Sequence, residues 1–154
     1  MLPFRSQPAI PRLREGYELL QGPELPFDQL NGLLQACGDS PRSPERWRRV
    51  LKRSSWHLAV IRGEERLVGF VRATSDRALN ANLWDLLSDP HDPARPEVIA
   101  VLVQSALGRL RREMGGCSIS VSAPPEALQA LTQAGFVVDP GGIRAMGLAL
   151  RQEE

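Results

Sequence analysis

The stretch "SDPHDPARPEVIAVLV", residues 88–103, takes the chain from a polar, proline-rich segment directly into an apolar helical pattern. The residues before it, "ALNANLWDLLSD" (78–89), are typical of a strand, and a long helix is predicted from about Pro96 to Met114. A strand, a loop and a helix in this order can present helix N–H groups to an anion. The loop contains no glycine, however, and a proline and a glutamate stand where the helix begins. A phosphate site, the remnant of one and an ordinary connection are all open interpretations.

The sequence on either side of this stretch predicts an α/β protein with an antiparallel meander in its first half. The second helix has a clear start signal, with Ser43 as its N-cap and Pro44 at the first helical position. The predicted order is β-α-α-β-β-β-α-β-α-β-β. Its elements outside the opening stretch are strands within 16–25, 55–63, 66–76, 117–123, "FVVDP" and "IRAMGLALR", and helices at 26–38, 40–55 and 124–135.

Composition limits the class of protein. A chain of 154 residues with 42% hydrophobic residues predicts one domain, here residues 14–152, after a loose N-terminal arm at 1–13. A formal net charge of +1 gives no reason to expect nucleic acid or a membrane as partner, and no apolar run approaches the length of a membrane span. Cys37 and Cys117 match no metal or redox spacing, which predicts no bound metal and a reducing, cytoplasmic location.

Two stretches carry a resemblance to a known family: "LVGFVRATSDRALNANLWDLLSDP" (67–90) and "AGFVVDPGGIRAMGLAL" (134–150). They resemble the GNAT superfamily of acetyl-CoA-dependent N-acetyltransferases, in its cyanobacterial and plastid branch of nuclear-shuttle-interacting and serotonin acetyltransferase-like proteins. The resemblance covers roughly residues 55–150. It implies a GNAT fold with a mixed central sheet of about six to seven strands, about four flanking helices and a V-shaped splay between strands 4 and 5. It also implies acetyl-CoA as cofactor, an amine of a small molecule or protein as acceptor, and a homodimer.

The resemblance also assigns the cofactor-binding positions. In the family, the backbone of the fourth strand hydrogen-bonds the pantetheine, and Leu86, Leu87 and Ser88 fall at those positions. The pyrophosphate rests on a loop of pattern [QR]-x-x-G-x-[GA], whose glycines let backbone N–H groups approach the phosphates. The six loop positions in this chain are Pro93, Ala94, Arg95, Pro96, Glu97 and Val98.

Each departure from the loop pattern has a physical consequence. Pro93 and Pro96 have no N–H to donate. Val98 places a β-branched side chain where the family has backbone close to phosphate, and Glu97 competes with the pyrophosphate for the positive end of the helix. Arg95 remains as a cation. Two more family features are absent, because the cofactor-contacting Asn aligns with a proline at 125 and the thiolate-protonating Tyr aligns with a leucine at 131.

Several side chains allow two interpretations. Asp85, in the "WD" pair, is either a general base or a side chain that holds a bulge of the fourth strand. His91, at the mouth of the loop, is either a catalytic base or an exposed loop residue. Arg72 either binds substrate or holds the third and fourth strands together. The basic residues from Arg46 to Arg53 form either an acceptor-binding patch or a solvated helix face.

These observations leave two hypotheses for the function. The first is an N-acetyltransferase with a weakened acetyl-CoA anchor. The second is a catalytically inactive GNAT-fold protein that has lost acetyl-CoA binding and serves as a binding or regulatory module for a protein partner.

Overall fold

The computed structural model describes residues 10–150, which build a five-stranded sheet with helices on both faces. The strands lie in the order β1-β2-β3-β4-β5; the first four are antiparallel and β5 is parallel to β4. The elements are β1 (Tyr17–Gln21), α1 (Phe27–Ala36), α2 (Pro44–Arg53), β2 (Trp56–Arg62), β3 (Arg66–Ser75), β4 (Asn80–Ser88), α3 (Arg95–Glu113), β5 (Ser118–Val121) and α4 (Leu128–Gln133), with 3₁₀ turns at Pro125–Ala127 and Pro140–Gly142. The predicted α/β class and GNAT-type arrangement are confirmed.

Local sequence signals account for two of the connections. The Ser43 side chain accepts a hydrogen bond from the Arg46 N–H at 3.2 Å, which confirms the predicted N-cap of α2. Between β3 and β4, one oxygen of Asp76 accepts the N–H groups of residues 78, 79 and 80 at 2.9–3.0 Å. These backbone hydrogen bonds, the one from Asn80 foremost, lower the pKa of Asp76 to about 2. Asp76, in the "SD" of the sequence, therefore stabilises the turn that sets the register of β3 against β4.

The two faces of the sheet bury separate apolar clusters. Helices α3 and α4 cover one face, where Val98, Leu102 and Leu110 of α3 are completely buried against side chains of β2, β3 and β4. Helices α1 and α2 cover the other face, where Trp47 and Phe70 meet edge to face with ring centroids 6.1 Å apart. None of the helices in the described part of the chain combines the length and the apolar composition of a membrane span.

The two strands predicted in "FVVDP" and "IRAMGLALR" do not form, so the sheet has five strands rather than six to seven. Alternating apolar residues make a strand only when a neighbouring strand pairs with them. Here Asp139, Gly141 and Gly142 adopt left-handed backbone angles, with φ of 46°, 64° and 78°, which interrupt the extended backbone that a strand needs. The residues after them stay unpaired and exposed.

The predicted N-terminal arm, residues 1–13, falls largely outside the described part of the chain. Of the residues that are described, Ile10 is exposed, whereas Leu13 packs against the cluster under α3. The next residue, Arg14, donates two hydrogen bonds to a Glu97 oxygen, at 3.1 and 2.8 Å. The end of the arm is thus tied to the start of α3.

Gly69 of β3 lets α3 lie directly on the sheet. A Cβ atom at this position would stand 2.6 Å from a methyl group of Val98 and 3.0 Å from one of Leu102. A Cβ contact of 2.6 Å essentially never occurs in real structures, and a valine methyl group has little freedom to move. The absence of a side chain at residue 69 therefore sets the distance between α3 and β3.

We expect Gly69→Ala to lower the free energy of unfolding by about 1–3 kcal/mol, the usual cost of overpacking a filled core. The matched control is Gly32→Ala in α1, where an added Cβ meets nothing within 4 Å. That substitution should stabilise the protein by roughly 0.5–1 kcal/mol, because alanine is the better helix residue. Denaturant unfolding of both variants measures the difference, and equal midpoints would show that α3 does not rest on Gly69.

Candidate functional site

Strand β4 loses one of its two neighbours halfway along its length. Its pairing with β5 ends at Leu83 and Val121, and from Trp84 to Ser88 it is bonded only to β3. At the same place the register against β3 shifts, and Asp85 has a left-handed φ of 52°. This is a β-bulge, which bends the strand away from its neighbour. The bulge and the early end of β5 form the V-shaped splay between strands 4 and 5.

The Asp85 carboxylate lies between two guanidinium groups. Arg42, from the connection between α1 and α2, donates to both of its oxygens, at 2.9 and 2.6 Å, and the Arg72 Nε donates at 2.6 Å. Arg42 is held in turn by Asn31, which bonds its backbone on both sides, and by the face of Trp47 at 4.6 Å. The interpretation of Arg72 as a link between the third and fourth strands is confirmed.

The pairing of Asp85 decides what its carboxylate can do chemically. Burial raises the pKa of Asp85, but the hydrogen bonds from Arg42 and Arg72 outweigh it, and the net pKa lies below the ordinary value. A carboxylate with a lowered pKa and two charged donors is a poor proton acceptor. The geometry favours the second interpretation of Asp85, a side chain that holds the bulge.

The three strand positions assigned to the pantetheine differ in what they expose. Leu86 is buried under α3 and Leu87 is buried under α1. Because both side chains lie in the core, only the backbone of these two residues can contact a ligand. Ser88 is 1% exposed, and its carbonyl accepts a hydrogen bond from the Cys37 thiol at 3.3 Å. Burial raises the pKa of that thiol, so Cys37 is a neutral donor rather than a nucleophile.

The segment that joins β4 to α3, residues 89–98, uses its own backbone donors. The Arg14 hydrogen bond lowers the pKa of the Glu97 carboxyl. The segment's three prolines have no N–H, and the Glu97 N–H has no hydrogen-bond acceptor among the described residues. The six other N–H groups bond inside the protein at 2.9–3.1 Å; they belong to Asp89, His91, Asp92, Ala94, Arg95 and Val98. Along this fully described segment, only the backbone N–H of Glu97 is left to donate to a phosphate.

Two buried aspartates hold the 89–98 segment in this conformation. Asp92 is 6% exposed and accepts from the Tyr17 hydroxyl at 2.7 Å, from Arg62 at 2.8 Å and from the Ala94 N–H at 2.9 Å. Asp89 accepts from Arg66 at 3.2 Å and from the His91 N–H at 2.9 Å. The carboxylates of Asp89 and Asp92 therefore lie inside the loop and accept hydrogen bonds from the protein. In an anion-binding loop, by contrast, N–H donors point at an external anion.

Arg95 lies across the splay rather than free at its mouth. Its Nε donates to the Ser88 hydroxyl at 2.8 Å, and its terminal nitrogen bonds Glu126 at 2.8 Å. Ser88 ends β4 and Glu126 follows β5, so this one side chain connects the two diverging strands. Both ion-pair partners are about three-quarters covered, at 24% and 27% exposed.

The other predicted loop residues are dispersed. The His91 side chain is exposed on the 89–98 segment, and Pro96 is exposed in the first turn of α3. The Val98 side chain is buried against Gly69, so it points into the core and does not crowd a phosphate position. Among the described residues, no group of three or more His, Cys, Asp or Glu side chains is placed to hold a metal.

Sequence reasoning missed the residues that reach this region from a distance. Tyr17 is 75 positions from Asp92, Arg42 is 43 from Asp85, and Glu126 is 31 from Arg95. Burial and the Asp92 hydrogen bond raise the pKa of Tyr17, which keeps its hydroxyl protonated as a donor. Only one of these features had a signal in the sequence. The Asp-x-x-Asp spacing at 89 and 92 is typical of aspartates that accept backbone N–H groups two residues further on and so stabilise a turn.

Replacing Asp85 by Asn should lower the free energy of unfolding by about 3 kcal/mol, because two partly buried guanidinium groups lose their counter-charge. Asparagine tolerates the left-handed backbone, so strain adds little. The folded pKa of Asp85 is depressed, so the loss should be complete above about pH 4 and shrink as the pH falls through the lower folded value.

Urea unfolding of the wild type and the Asp85→Asn variant, repeated across the acidic range, measures this difference. The control is Glu45→Gln, whose pair with Arg48 spans 4.0 Å and is exposed; it should change stability by less than about 0.5 kcal/mol. A difference for Asp85→Asn that does not vary with pH would contradict the ion-pair assignment.

Comparison with known proteins adds two kinds of likeness. No protein-family model matches the chain. In sequence, it is 30% identical over 121 residues, 77% of the chain and 68% of the relative, to the uncharacterized N-acetyltransferase ycf52 of Porphyra purpurea. It is 36% identical over 83 residues to the chloroplastic GCN5-related N-acetyltransferase 2 of Arabidopsis thaliana, and that match covers 54% of the chain but only 31% of the relative.

In structure, the chain resembles a probable acetyltransferase of unknown function from meticillin-resistant Staphylococcus aureus. The TM-score is 0.71 at 14% identity, over 88% of this chain and 99% of the other, so this likeness shows the fold alone. The sequence match to the Porphyra protein covers more than two thirds of both chains, which is enough to assign the family. The strand bulge, the splay and the mixed sheet agree with it. The chain belongs to the GNAT family of N-acetyltransferases and is similar to its plastid members.

Proposed function

We propose that this protein is an acetyl-CoA-dependent N-acetyltransferase that acts on an amine of a small molecule or protein and holds its cofactor weakly. The observation that carries the proposal is the half-paired strand β4, whose backbone from Leu86 to Ser88 has no strand neighbour on the β5 side. An unpaired strand edge is a ready partner for the amide groups of an extended ligand such as pantetheine. Acetyl-CoA, when bound, supplies the acetyl thioester.

The 89–98 segment supports the proposal of weak cofactor binding. A pyrophosphate is normally held by several backbone N–H groups at a helix start, and here all of those groups except the Glu97 N–H are absent or already bonded. Arg95 is the candidate cation for the phosphates, but Ser88 and Glu126 bind it first. The strand-side part of the site fits the cofactor, and the phosphate side does not.

His91 is the proposed proton acceptor for the attacking amine. It is exposed beside the end of β4, and histidine is the side chain most often used as a general base. Asp85 is not the base in this proposal, because its carboxylate is kept ionised and both of its oxygens already accept hydrogen bonds from Arg42 and Arg72. Its role is to position β4. Cys37 and Cys117 are free thiols, which supports a reducing compartment such as the cytoplasm.

The second candidate is a GNAT-fold protein that no longer binds acetyl-CoA and acts as a binding or regulatory module. The same internal hydrogen bonding favours it, because a segment with six of its seven N–H donors already bonded has little left with which to bind phosphate. The two candidates share the fold and differ in a measurable quantity, the affinity for acetyl-CoA.

Calorimetric titration with acetyl-CoA separates the candidates. The first predicts saturable binding that is weak and depends on salt, followed by acetyl transfer to at least one amine of a panel containing a polyamine, an arylalkylamine and a lysine peptide. Heat indistinguishable from dilution, together with no acetylated product by mass spectrometry, would leave only the second candidate.

Substituting Glu126 tests whether Arg95 is the phosphate ligand. In Glu126→Gln the guanidinium loses its counter-charge, so the affinity for acetyl-CoA should rise a few-fold, the scale of one partly exposed ion pair. Arg95→Ala should lower it. The matched control is Glu113→Gln, which releases Arg109 from a comparable pair of 2.9 Å on the last turns of α3 and should leave affinity unchanged. Equal affinity in the Glu126 and Glu113 variants would remove Arg95 from the proposed site.

A further inference from the structure

One face of the sheet is covered over only part of its length. Phe70 of β3 and Leu87 of β4 are buried in the cluster beneath α1 and α2. Side chains alternate along a strand and match across a pairing, so the same face continues along the other halves of these strands and onto β5. Four side chains there are exposed or half-buried, and we call them the open face: Thr74, Asn82, Trp84 and Ser120.

The open face adjoins the splay between β4 and β5. Trp84 is the first residue of β4 beyond the end of its pairing with β5. Its indole N–H donates to the Thr74 hydroxyl at 2.8 Å, and the Ser120 hydroxyl donates to the Asn82 amide oxygen. The Trp84 ring is therefore held in place while 38% of the residue stays exposed. A fixed aromatic ring among polar groups is typical of protein-binding surfaces.

Helix α2 runs along the border of the open face. It begins beside β4, because Arg42, just before the helix, pairs with Asp85 at 2.6 Å. It ends beside β3, because the Ser55 N–H donates to the Ala73 carbonyl at 2.8 Å. Any ligand that lies on the open face therefore meets the side chains of this helix.

The flank of α2 turned away from α1 carries a row of arginines. Arg48 lies over the Phe27 ring of α1, 5.5 Å from its centroid, so the Arg48 flank faces α1. With about 100° between successive residues, Arg46, Arg49 and Arg53 lie on the opposite flank, toward the open face. All three are exposed, and among the described residues their guanidinium groups have no ion-pair partner.

The fold does not account for the charge of α2. The helix has five cationic residues and one carboxylate, Glu45, in a chain whose formal net charge is +1. Arg49 and Arg53 stand four residues apart, a spacing at which like charges destabilise a helix. Arginines of the strands, such as Arg62 and Arg66, pair with carboxylates of the protein instead. The arginine row is thus available to carboxylates from outside the chain.

We propose that the open face and the arginine row of α2 bind an acidic polypeptide segment, which presents the acceptor amine at the splay. The role as acceptor rests on the proposed function, whereas the binding of the segment does not. Carboxylates of the segment pair with the arginines, and its apolar atoms pack on Trp84. Arg46 and Arg53 are seven residues apart, or about 10 Å along the helix. The row therefore matches roughly three to four residues of extended chain.

The distribution of charge favours a short acidic segment over a nucleic acid. Because α2 has so large a share of the cations, the rest of the chain is net negative. A nucleic-acid strand needs cations along an extended track, and beyond this short row the protein's overall charge opposes it. Arginine pairs with a carboxylate through two parallel hydrogen bonds, so three arginines suffice for a short acidic segment.

Fluorescence titration with synthetic peptides, in the absence of acetyl-CoA, tests the proposal. The probes are a short peptide with a lysine flanked by Glu and Asp, and the same peptide with Gln and Asn in their place. The acidic peptide should bind saturably and about tenfold more tightly than the neutral one, the scale of two or three exposed ion pairs. Trp84 serves as the reporter, because Trp47 and Trp56 are buried. Bound acidic peptide should reduce the quenching of tryptophan fluorescence by acrylamide.

A double substitution in the arginine row gives the second measurement. Arg49→Gln/Arg53→Gln should lower the affinity for the acidic peptide about tenfold and leave that for the neutral peptide unchanged. Because it removes a like-charge pair from an exposed helix face, the fold should be retained, as circular dichroism can check. The matched control is Arg111→Gln/Arg112→Gln, which removes the same charge from exposed positions in the last turn of α3 and should bind as the wild type does.

Three outcomes would overturn the proposed surface: equal affinity for the two peptides, an equal loss of affinity in the α2 and α3 variants, and acrylamide quenching that the bound acidic peptide leaves unchanged. Tighter binding of a short oligouridylate of the same charge would assign the surface to nucleic acid instead. Acetyl transfer to both peptides with the same KM would refute the acceptor role and leave the proposed function intact. Binding of the acidic peptide without any acetyl transfer would support the surface and remove the proposed function.

Discussion

The buried carboxylate of Asp92 is the contact on which the arrangement of the site depends. It joins the Tyr17 hydroxyl of β1, the Arg62 guanidinium of β2 and the backbone of the turn that begins α3. These three partners come from parts of the chain that are far apart in sequence. A carboxylate that is 6% exposed must have such partners, since an unpaired buried charge is costly. The start of α3 is thereby fixed against the first two strands.

This constraint explains how a loop without glycine can occupy the position of a phosphate-binding loop. In a phosphate-binding loop, backbone N–H groups converge on an external anion. In this protein, Asp89 and Asp92 supply the anionic oxygens from within the chain, and six of the segment's seven N–H groups bond to them or to nearby carbonyls. Backbone N–H donors still surround anionic acceptors in this loop, but the acceptors are carboxylates of the protein rather than phosphates of a ligand. Asp85, by contrast, preserves the bulge and splay of β4, which concern the strand side of the site.

The sequence predicted what depends on local signals. The strand, loop and helix around residues 88–103, the cap at Ser43 and the hairpin strands each follow from neighbouring residues, and all are present. Contacts between distant residues, such as Arg42 with Asp85 and Tyr17 with Asp92, leave no trace in a single sequence, because many other arginines could have bonded Asp85 and many other carboxylates could have accepted from Tyr17. The two C-terminal strands were predicted wrongly for a related reason. Alternation describes a segment that suits a sheet edge, but it does not state which edge is free to receive it.

Six of the seven backbone N–H donors of residues 89–98 are satisfied inside the protein, and only that of Glu97 has no acceptor. Amide hydrogen exchange at His91, Ala94 and Arg95, measured without and with saturating acetyl-CoA, tests this arrangement most directly. We predict that these amides are already protected in the free protein and that the cofactor does not change their exchange rates, even if it binds along β4. Amides that exchange freely without acetyl-CoA and become protected with it would contradict the arrangement, because they would then be donors to the cofactor's phosphates.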